Sequence, residues 1–149
     1  MELDWFDADT EIERLAGKSI REIFRDDGEP KFRDWESSVV DQLTGMGPAV
    51  VALGGGAVVR QQNRQALADC TVIWLTADAD TIFARISTDT STQRRRPNLT
   101  SVGGRDEIVQ LLSQRQPIYR ACADYTVDTV GKSPEQLADE IVCLLAKEE

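Results

Sequence analysis

An apolar run that ends in three consecutive glycines constrains the fold of this chain more than any other feature. Five apolar residues, 49–53, are followed directly by Gly54, Gly55 and Gly56. A strand that is apolar on both faces is typical of a parallel sheet covered by helices. Ligands bind at the carboxyl ends of such strands, where glycine backbone can offer them N–H groups. The run therefore predicts a buried strand leading into a ligand site, although a glycine triplet alone is also compatible with a flexible turn.

Strand-like and helix-like segments alternate along the whole sequence. Further strands are expected at residues 3–6, 71–75 and 125–128, and helices at 10–16, 20–24, 30–45, 60–68, 78–86, 105–119 (interrupted by Pro117) and 134–145. Because no repeat or linker breaks this alternation, it predicts one α/β domain over residues 1–149 with a parallel sheet. Residues 87–104 are polar and without periodicity, which is typical of a functional lid or of disorder.

Composition excludes several classes of function. The formal net charge of −9 argues against a nucleic-acid partner or an anionic membrane surface. No apolar run is long enough to span a bilayer. The three cysteines lack metal-ligand spacing and indicate core thiols in a reducing cytoplasm. Because the sequence contains no histidine, histidine base catalysis, imidazole metal sites and Ser-His-Asp chemistry are excluded.

Two aspartates, Asp7 and Asp9, stand at the carboxyl end of the first predicted strand. In an extended strand, side chains two positions apart point the same way. Such a carboxylate pair could hold Mg²⁺ through water and accept a proton from a substrate hydroxyl. Taken alone, the two residues are better interpreted as a helix cap with an incidental neighbour.

Arginine supplies 13 of the 17 basic residues, which favours planar, bidentate recognition of carboxylate or phosphate over simple charge balance. Three of these arginines, Arg94, Arg95 and Arg96, stand together in the polar segment 87–104. Arg33 and Arg115 lie in predicted helices beside apolar neighbours, where a surface ion pair is the usual interpretation.

Two Gly-Lys-Ser tripeptides, at residues 17–19 and 131–133, resemble the end of a phosphate loop. A phosphate loop also requires a glycine five residues before the glycine of the tripeptide. Ile12 and Thr126 occupy those two positions. We therefore interpret both tripeptides as turns followed by helix caps, and the sequence contains no phosphate loop.

A series of short motifs runs through the chain from end to end. The motifs are Phe6-Asp7-Ala8-Asp9, Gly17-Lys18-Ser19-Ile20, Phe32-Arg33 with Glu36, Leu53-Gly54-Gly55-Gly56-Ala57-Val58, Arg96-Pro97, Arg115-Gln116-Pro117-Ile118-Tyr119 and Val127-Asp128. Their order and spacing resemble the shikimate kinase family. The resemblance implies a three-layer P-loop-kinase-like parallel sheet with helices on both faces. It also implies a cytoplasmic, monomeric enzyme of aromatic amino acid (chorismate) biosynthesis that phosphorylates the 3-hydroxyl of shikimate with ATP.

The resemblance also implies roles for individual residues on the substrate side. Asp9 would bind the shikimate hydroxyls and serve as a base, while Arg33 and Arg115 would clamp the shikimate carboxylate. The backbone of the glycine triplet 54–56, Gly55 above all, would contact the substrate. Glu36, one turn after Arg33, would orient the Arg33 side chain.

On the nucleotide side, the resemblance assigns roles to four residues. Asp7 would hold Mg²⁺ through water. Arg96, on the predicted lid, would reach the ATP phosphates and steady the transferring group. Arg85 and Lys132 would lie near the adenine.

The sequence departs from the family pattern at its start. The family begins with a strand, a phosphate loop and a helix, and none of these is present in the 149 residues. In the family, this first strand is central, between the glycine-ended strand and the strand expected at 71–75. Its absence would leave two strand edges unpaired or force them together. Either the sequence is an N-terminally truncated reading of a complete kinase, or the protein has an incomplete sheet.

Two other functions are compatible with these residues. The chain could be a non-catalytic shikimate-binding or regulatory paralogue that keeps the substrate half, or a kinase for another small hydroxy acid. Because phosphoryl transfer depends on a preorganised phosphate cradle, we expect no shikimate phosphorylation from these 149 residues, and weakened shikimate binding.

Overall fold

A computed structural model describes residues 2–89 and 103–148, which form four strands and seven helices. In chain order these are β1 (Asp4–Asp7), α1 (Ala8–Ala16), α2 (Ile20–Asp27), α3 (Glu29–Thr44), β2 (Ala49–Ala52), α4 (Gln61–Ala66), β3 (Ile73–Thr76), α5 (Ala79–Thr88), α6 (Gly104–Cys122), β4 (Tyr125–Asp128) and α7 (Pro134–Ala146). The alternation confirms the α/β class expected from the sequence. No helix in these two ranges is long and apolar enough to cross a membrane.

The four strands form two separate parallel pairs. β1 pairs with β2 from Asp4↔Ala49 onwards, and β3 pairs with β4 from Ile73↔Tyr125 onwards. Among the described strands, β2 and β3 therefore have one hydrogen-bonded neighbour each. Of the two arrangements expected for an incomplete sheet, the described residues adopt the one with unpaired edges.

Burial of the apolar run 49–53 differs from the expectation. Val50 is 56% exposed and Ala52 is also exposed, while Val51 and Leu53 are partly buried. The run thus has one covered face, because Val51 and Leu53 pack against the helical core while Val50 and Ala52 stay exposed. The prediction that this strand is buried on both faces is wrong for the described part of the chain.

Helix starts follow local side-chain chemistry. Ser19 with Glu22 and Ser133 with Gln136 form the capping boxes that their spacing predicts. Gly17 ends α1 with φ 70°, and Gly131 has φ 71° in the turn before α7. Both Gly-Lys-Ser tripeptides are therefore turns that lead into helix caps, as expected.

Several element boundaries differ from those expected. β1 extends to residue 7 and α1 begins at residue 8, while α2 continues to residue 27. α6 runs through Pro117 to Cys122 without interruption. A proline φ of about −65° is compatible with the helix, so the cost at Pro117 is one lost backbone hydrogen bond and a local clash. The prediction that Pro117 interrupts this helix is wrong.

The core lies mainly under the first three helices. Its first cluster joins α1, α2 and α3 through buried side chains that include Ile12, Ile23 and Val39. A second cluster consists of Val40, Ala57, Val58 and Leu67, with Ile118, Tyr119 and Cys122 of α6 packed against it. This second cluster brings α6 against the turn that follows β2, and the candidate site lies at that contact.

Candidate functional site

The glycine triplet after β2 forms a tight turn. The Ala57 N–H donates to the Gly54 carbonyl at 3.0 Å, and the Val59 N–H donates to the Gly56 carbonyl at 3.1 Å. None of the three glycines has a positive φ. The requirement for glycine here therefore does not come from the backbone conformation, which other residues could adopt.

Space is the reason for glycine at this turn, because a Cβ atom would collide with polar side chains. A Cβ on Gly56 would lie 2.3 Å from Arg33 Nη1, and one on Gly55 would lie 2.8 Å from Tyr119 Oη. A Cβ on Gly54 would lie 3.5 Å from Asp9 Oδ1. Real Cβ atoms do not approach other heavy atoms below 3.0 Å. Gly55 and Gly56 are thus required for the close approach of these side chains, and the turn brings Asp9, Arg33 and Tyr119 together.

Arg33 is a buried guanidinium held on α3 by two carboxylates. Only 8% of the residue is exposed. Its Nη1 lies 2.8 Å from Glu36 Oε1, and its Nη2 lies 3.3 Å from Glu29 Oε1. Because a buried charge must be paired to be tolerated, these two contacts fix the orientation of Arg33 against the glycine turn.

Burial raises the pKa of Glu36, whose residue is 3% exposed. The charge and hydrogen bond of Arg33 oppose this rise in pKa. Asp9 raises the Glu36 pKa further, and Arg115 lowers it. Arg33, Asp9 and Arg115 therefore all lie within electrostatic range of Glu36, although they come from α3, α1 and α6.

A cavity of about 260 Å³ lies between α3 and α6. Its lining comprises Glu29, Arg33, Val59, Leu111, Gln114, Arg115 and Ile118. Arg115 Nη1 also lies 3.6 Å from the position of a Cβ on Gly55. Two guanidinium groups from different helices thus line one cavity together with three apolar side chains. Such a lining suits a small anion with an apolar body.

Asp7 and Asp9 do not share a strand face as the sequence suggested. Asp7 is the N-cap of α1, where its Oδ1 accepts the Thr10 N–H at 3.2 Å, and Asp9 lies in the first turn of that helix. The prediction that both side chains point the same way from an extended strand is wrong, because β1 ends at Asp7. Helix geometry instead directs Asp9 to the glycine turn, while Asp7 fulfils the helix-cap alternative.

A family model for shikimate kinase matches residues 1–146. This chain belongs to the shikimate kinase family. It is 39% identical to a shikimate kinase of Rhodopirellula baltica, covering 91% of this chain and 73% of the relative. It is 43% identical to a shikimate kinase of Nitrobacter winogradskyi, covering 97% of this chain and 66% of that relative. Family membership confirms the resemblance carried by the sequence motifs.

Solved structures of the family confirm the fold class. The chain superposes on shikimate kinase from Acinetobacter baumannii in complex with shikimate with a TM-score of 0.91 and 32% identity. That match covers 99% of this chain and 80% of the other. Shikimate kinase from Aquifex aeolicus gives a TM-score of 0.78 and 26% identity, covering 98% of this chain and 83% of the other. The three-layer P-loop-kinase-like architecture is therefore the architecture of this chain.

Two of the four residues predicted for the nucleotide side, Arg85 and Lys132, lie on α5 and in the turn before α7. Arg85 donates to Thr129 Oγ1 at 2.9 Å and to the Thr129 carbonyl at 3.1 Å. Lys132 pairs with Glu140 at 2.7 Å. The segment after β4 thus brings Arg85 and Lys132 near one another, because Thr129 also accepts the Lys132 N–H at 3.3 Å.

The described residues do not by themselves fit ATP and Mg²⁺. Arg85 and Lys132 both engage protein oxygen atoms, and the sequence has no phosphate loop. Within residues 2–89 and 103–148, no group of three or more His, Cys, Asp or Glu is arranged to hold a metal ion. Arg96 and most of the predicted lid 87–104 lie outside the described residues.

Several residues at the cavity were not assigned a role from the sequence. They are Glu29, Val59, Leu111, Gln114, Ile118 and Tyr119. A local signal existed for two of them, because Leu111 and Tyr119 stand four residues before and after Arg115 on one helix face. The position of Val59 depends on the turn after β2, which no periodicity predicts.

Proposed function

We propose that this chain binds shikimate in the cavity between α3, α6 and the glycine turn, as acceptor of a phosphoryl group from ATP. The observation that carries the proposal is the meeting of Arg33 and Arg115 at one cavity. Two guanidinium groups match the carboxylate of shikimate, because each can donate paired N–H groups to its oxygen atoms. The similarity to a shikimate kinase solved with shikimate supports the choice of this hydroxy acid.

The hydroxyl groups of shikimate would lie at the opposite side of the cavity, by Asp9 and the glycine turn. Asp9 Oδ1 lies 3.5 Å from the Cβ position of Gly54. In this position the carboxylate would accept a hydrogen bond from the 3-hydroxyl and take its proton as that oxygen attacks. The N–H groups of Gly55 and Gly56 make no hydrogen bond to a described residue, so both remain available to the substrate.

Two other sets of side chains would set the position of the substrate. Glu36 and Glu29 hold Arg33 in place, so that it meets the carboxylate without reorganising. Val59, Leu111 and Ile118 would pack against the carbon ring of shikimate. Recognition would thus combine charge at one end, hydrogen bonds at the other and apolar contact between them.

The roles on the nucleotide side remain those that the family resemblance implies. Asp7 would hold Mg²⁺ through water, Arg96 would reach the ATP phosphates, and Arg85 and Lys132 would lie near the adenine. ATP with Mg²⁺ supplies the transferred phosphoryl group when it is bound. Since the described residues do not form a phosphate cradle, we assign no step to them beyond binding and deprotonating the acceptor.

Calorimetric titration with shikimate tests the proposal directly. Arg115→Ala removes one guanidinium of the clamp and should raise the shikimate Kd roughly 10- to 100-fold, since hydrogen bonds to charged groups contribute about 1.5–3 kcal/mol each. Arg120→Ala is the matched control, because Arg120 is an exposed arginine on the same helix. Equal Kd values for both variants, or no shikimate binding by the folded wild-type chain, would contradict the proposal.

A non-catalytic shikimate-binding paralogue is the second candidate. The observation that favours it is the lack of a phosphate loop in these 149 residues. A coupled ADP-release assay with shikimate separates the candidates, and we predict no measurable phosphorylation by this chain alone. Activity that disappears in Arg96→Ala would instead show that the segment 87–104 carries enough of the nucleotide site for turnover.

A further inference from the structure

Tyr119 of α6 makes a direct hydrogen bond to the glycine turn. Its Oη donates to the Gly55 carbonyl at 2.6 Å, and its ring lies 5.5 Å from the ring of Trp74, centroid to centroid. Arg115 stands one helical turn earlier on the same face of α6 and also reaches Gly55. One face of α6 therefore brings two side chains to a single glycine, Tyr119 through a hydrogen bond and Arg115 at 3.6 Å from the position of a Cβ.

The bond to Gly55 also fixes the direction of the next N–H group. A peptide unit is planar and trans, so the Gly55 carbonyl and the Gly56 N–H point in opposite directions. When Tyr119 holds the carbonyl, the Gly56 N–H points away from Tyr119. Within residues 2–89 and 103–148, this N–H makes no hydrogen bond, and the guanidinium of Arg33 occupies the space that a Cβ on Gly56 would take.

A peptide between two glycines has little intrinsic preference for one orientation. Neither residue carries a Cβ that would restrict φ and ψ. The turn hydrogen bond from Ala57 to Gly54 closes the loop but does not involve the Gly55–Gly56 peptide. An external restraint on this peptide therefore lowers the conformational entropy that ligand binding would otherwise have to remove.

We propose that Tyr119 is a positioning residue, whose hydroxyl holds the Gly55–Gly56 peptide so that its N–H faces shikimate beside Arg33. The ligand identity rests on the proposed function, and the inference extends that function to a residue that does not itself contact the substrate. The consequence is a site in which α6 contributes twice, through the guanidinium of Arg115 and through the peptide orientation set by Tyr119.

Tyr119→Phe removes the hydroxyl and keeps the ring that packs on Trp74. We expect the shikimate Kd to rise about five- to tenfold, the size of one net hydrogen bond. Tyr125→Phe is the matched control, because Tyr125 is the other of the chain's two tyrosines and lies on β4. The control should bind shikimate as the wild type does.

A double-mutant cycle distinguishes this role from general destabilisation. A Cβ on Gly55 would lie 2.8 Å from Tyr119 Oη, but 3.6 Å from Arg115 Nη1 and 4.0 Å from Tyr119 Cζ. Gly55→Ala should therefore weaken shikimate binding strongly in the wild type and less in Tyr119→Phe, where the clashing oxygen is gone. Additive losses would contradict the assignment.

Amide resonances of the ligand-free protein separate this inference from the proposed function. We expect Tyr119→Phe to shift the Gly56 amide resonance and to leave that of Gly17, at the end of α1, unchanged. An unshifted Gly56 resonance overturns the inference whether or not shikimate binds. If the wild type binds shikimate, an unchanged Kd in Tyr119→Phe overturns it as well. If the wild type does not bind shikimate, the proposed function fails, and the Gly56 resonance alone decides the role of Tyr119.

Discussion

The N-terminal part of the molecule, residues 2–67, is packed far more tightly than the described residues of the C-terminal part, 68–148. Each part contains one pair of parallel strands. Of the twelve buried apolar residues in the described part of the chain, eleven nevertheless lie in the N-terminal part, and Val127 is the exception. α5, α6 and α7 contain no buried residue, although α6 is the longest helix described. Length and regularity of a helix therefore do not determine how firmly it is held.

This difference divides the candidate site into two sides. Arg33 and Glu36 stand on α3, whose inner face is buried, so their positions are set before any ligand arrives. Arg115 and Tyr119 stand on α6, which packs against α5 and reaches the N-terminal part through the glycine turn and the second core cluster. Elements with few buried contacts open locally at low free energy, so we expect substrate binding to order the α6 side.

The same substitution in the two parts should give very different losses of stability. Val39 of α3 is 1% exposed, and Val142 of α7 is 65% exposed. Val39→Ala should lower the free energy of unfolding by about 2–3 kcal/mol through lost burial and a residual cavity. Val142→Ala should change it by less than about 0.5 kcal/mol. Equal losses in urea unfolding would show that the two parts are packed alike.

Overpacking the turn should test how firmly the α3 side is held. A Cβ in Gly56→Ala would lie 2.3 Å from Arg33 Nη1, and Arg33 cannot move away without leaving Glu36 unpaired. We expect a destabilisation of about 1–3 kcal/mol and shikimate binding at least about tenfold weaker. Gly45→Ala, where the Cβ meets Asp41 O at 3.5 Å, is the control and should bind normally. Normal affinity in Gly56→Ala would mean that Arg33 is mobile.

The pH dependence of stability should report the buried Glu36. Its pKa is raised, first by burial and further by Asp9, against the effects of Arg33 and Arg115. Between the unfolded and the folded pKa of Glu36, the folded state therefore binds more protons than the unfolded state, so the contribution of Glu36 to stability falls as pH rises through that range. Unfolding measured between about pH 4 and pH 8 should show this fall in the wild type but not in Glu36→Gln. Identical pH profiles would exclude Glu36 as the source.

Local signals in the sequence were sufficient for much of the fold. Both capping boxes, the glycine helix ends and the alternation of strands and helices depend on residues within a few positions of each other, so spacing alone predicts them. The family motifs include Arg33, Arg115 and the glycine triplet, which lie close together in the structure. Exposure of Val50 was not predicted, because it depends on what covers a strand and not on the strand itself.

Contacts between distant residues explain what the sequence did not reveal about the site. Tyr119 and Gly55 are 64 positions apart, and no periodicity connects them. The preferred interpretation of Asp7 as a helix cap is confirmed, since its Oδ1 accepts the Thr10 N–H, whereas a strand face shared with Asp9 is excluded because β1 ends at Asp7. The contact of Tyr119 with Gly55 depends on tertiary packing, which short-range spacing does not encode.

Hydrogen–deuterium exchange with and without shikimate tests the central claim, that shikimate binds between a preordered α3 side and a less ordered α6 side. Without shikimate, we predict that the amides of α3 exchange slowest and that those of residues 111–119 exchange faster. Shikimate should then slow exchange at residues 111–119 and at the glycine turn, with no change in α7. Equal protection of α3 and α6 before shikimate is added, or protection by shikimate in α7 instead of α6, would contradict the account.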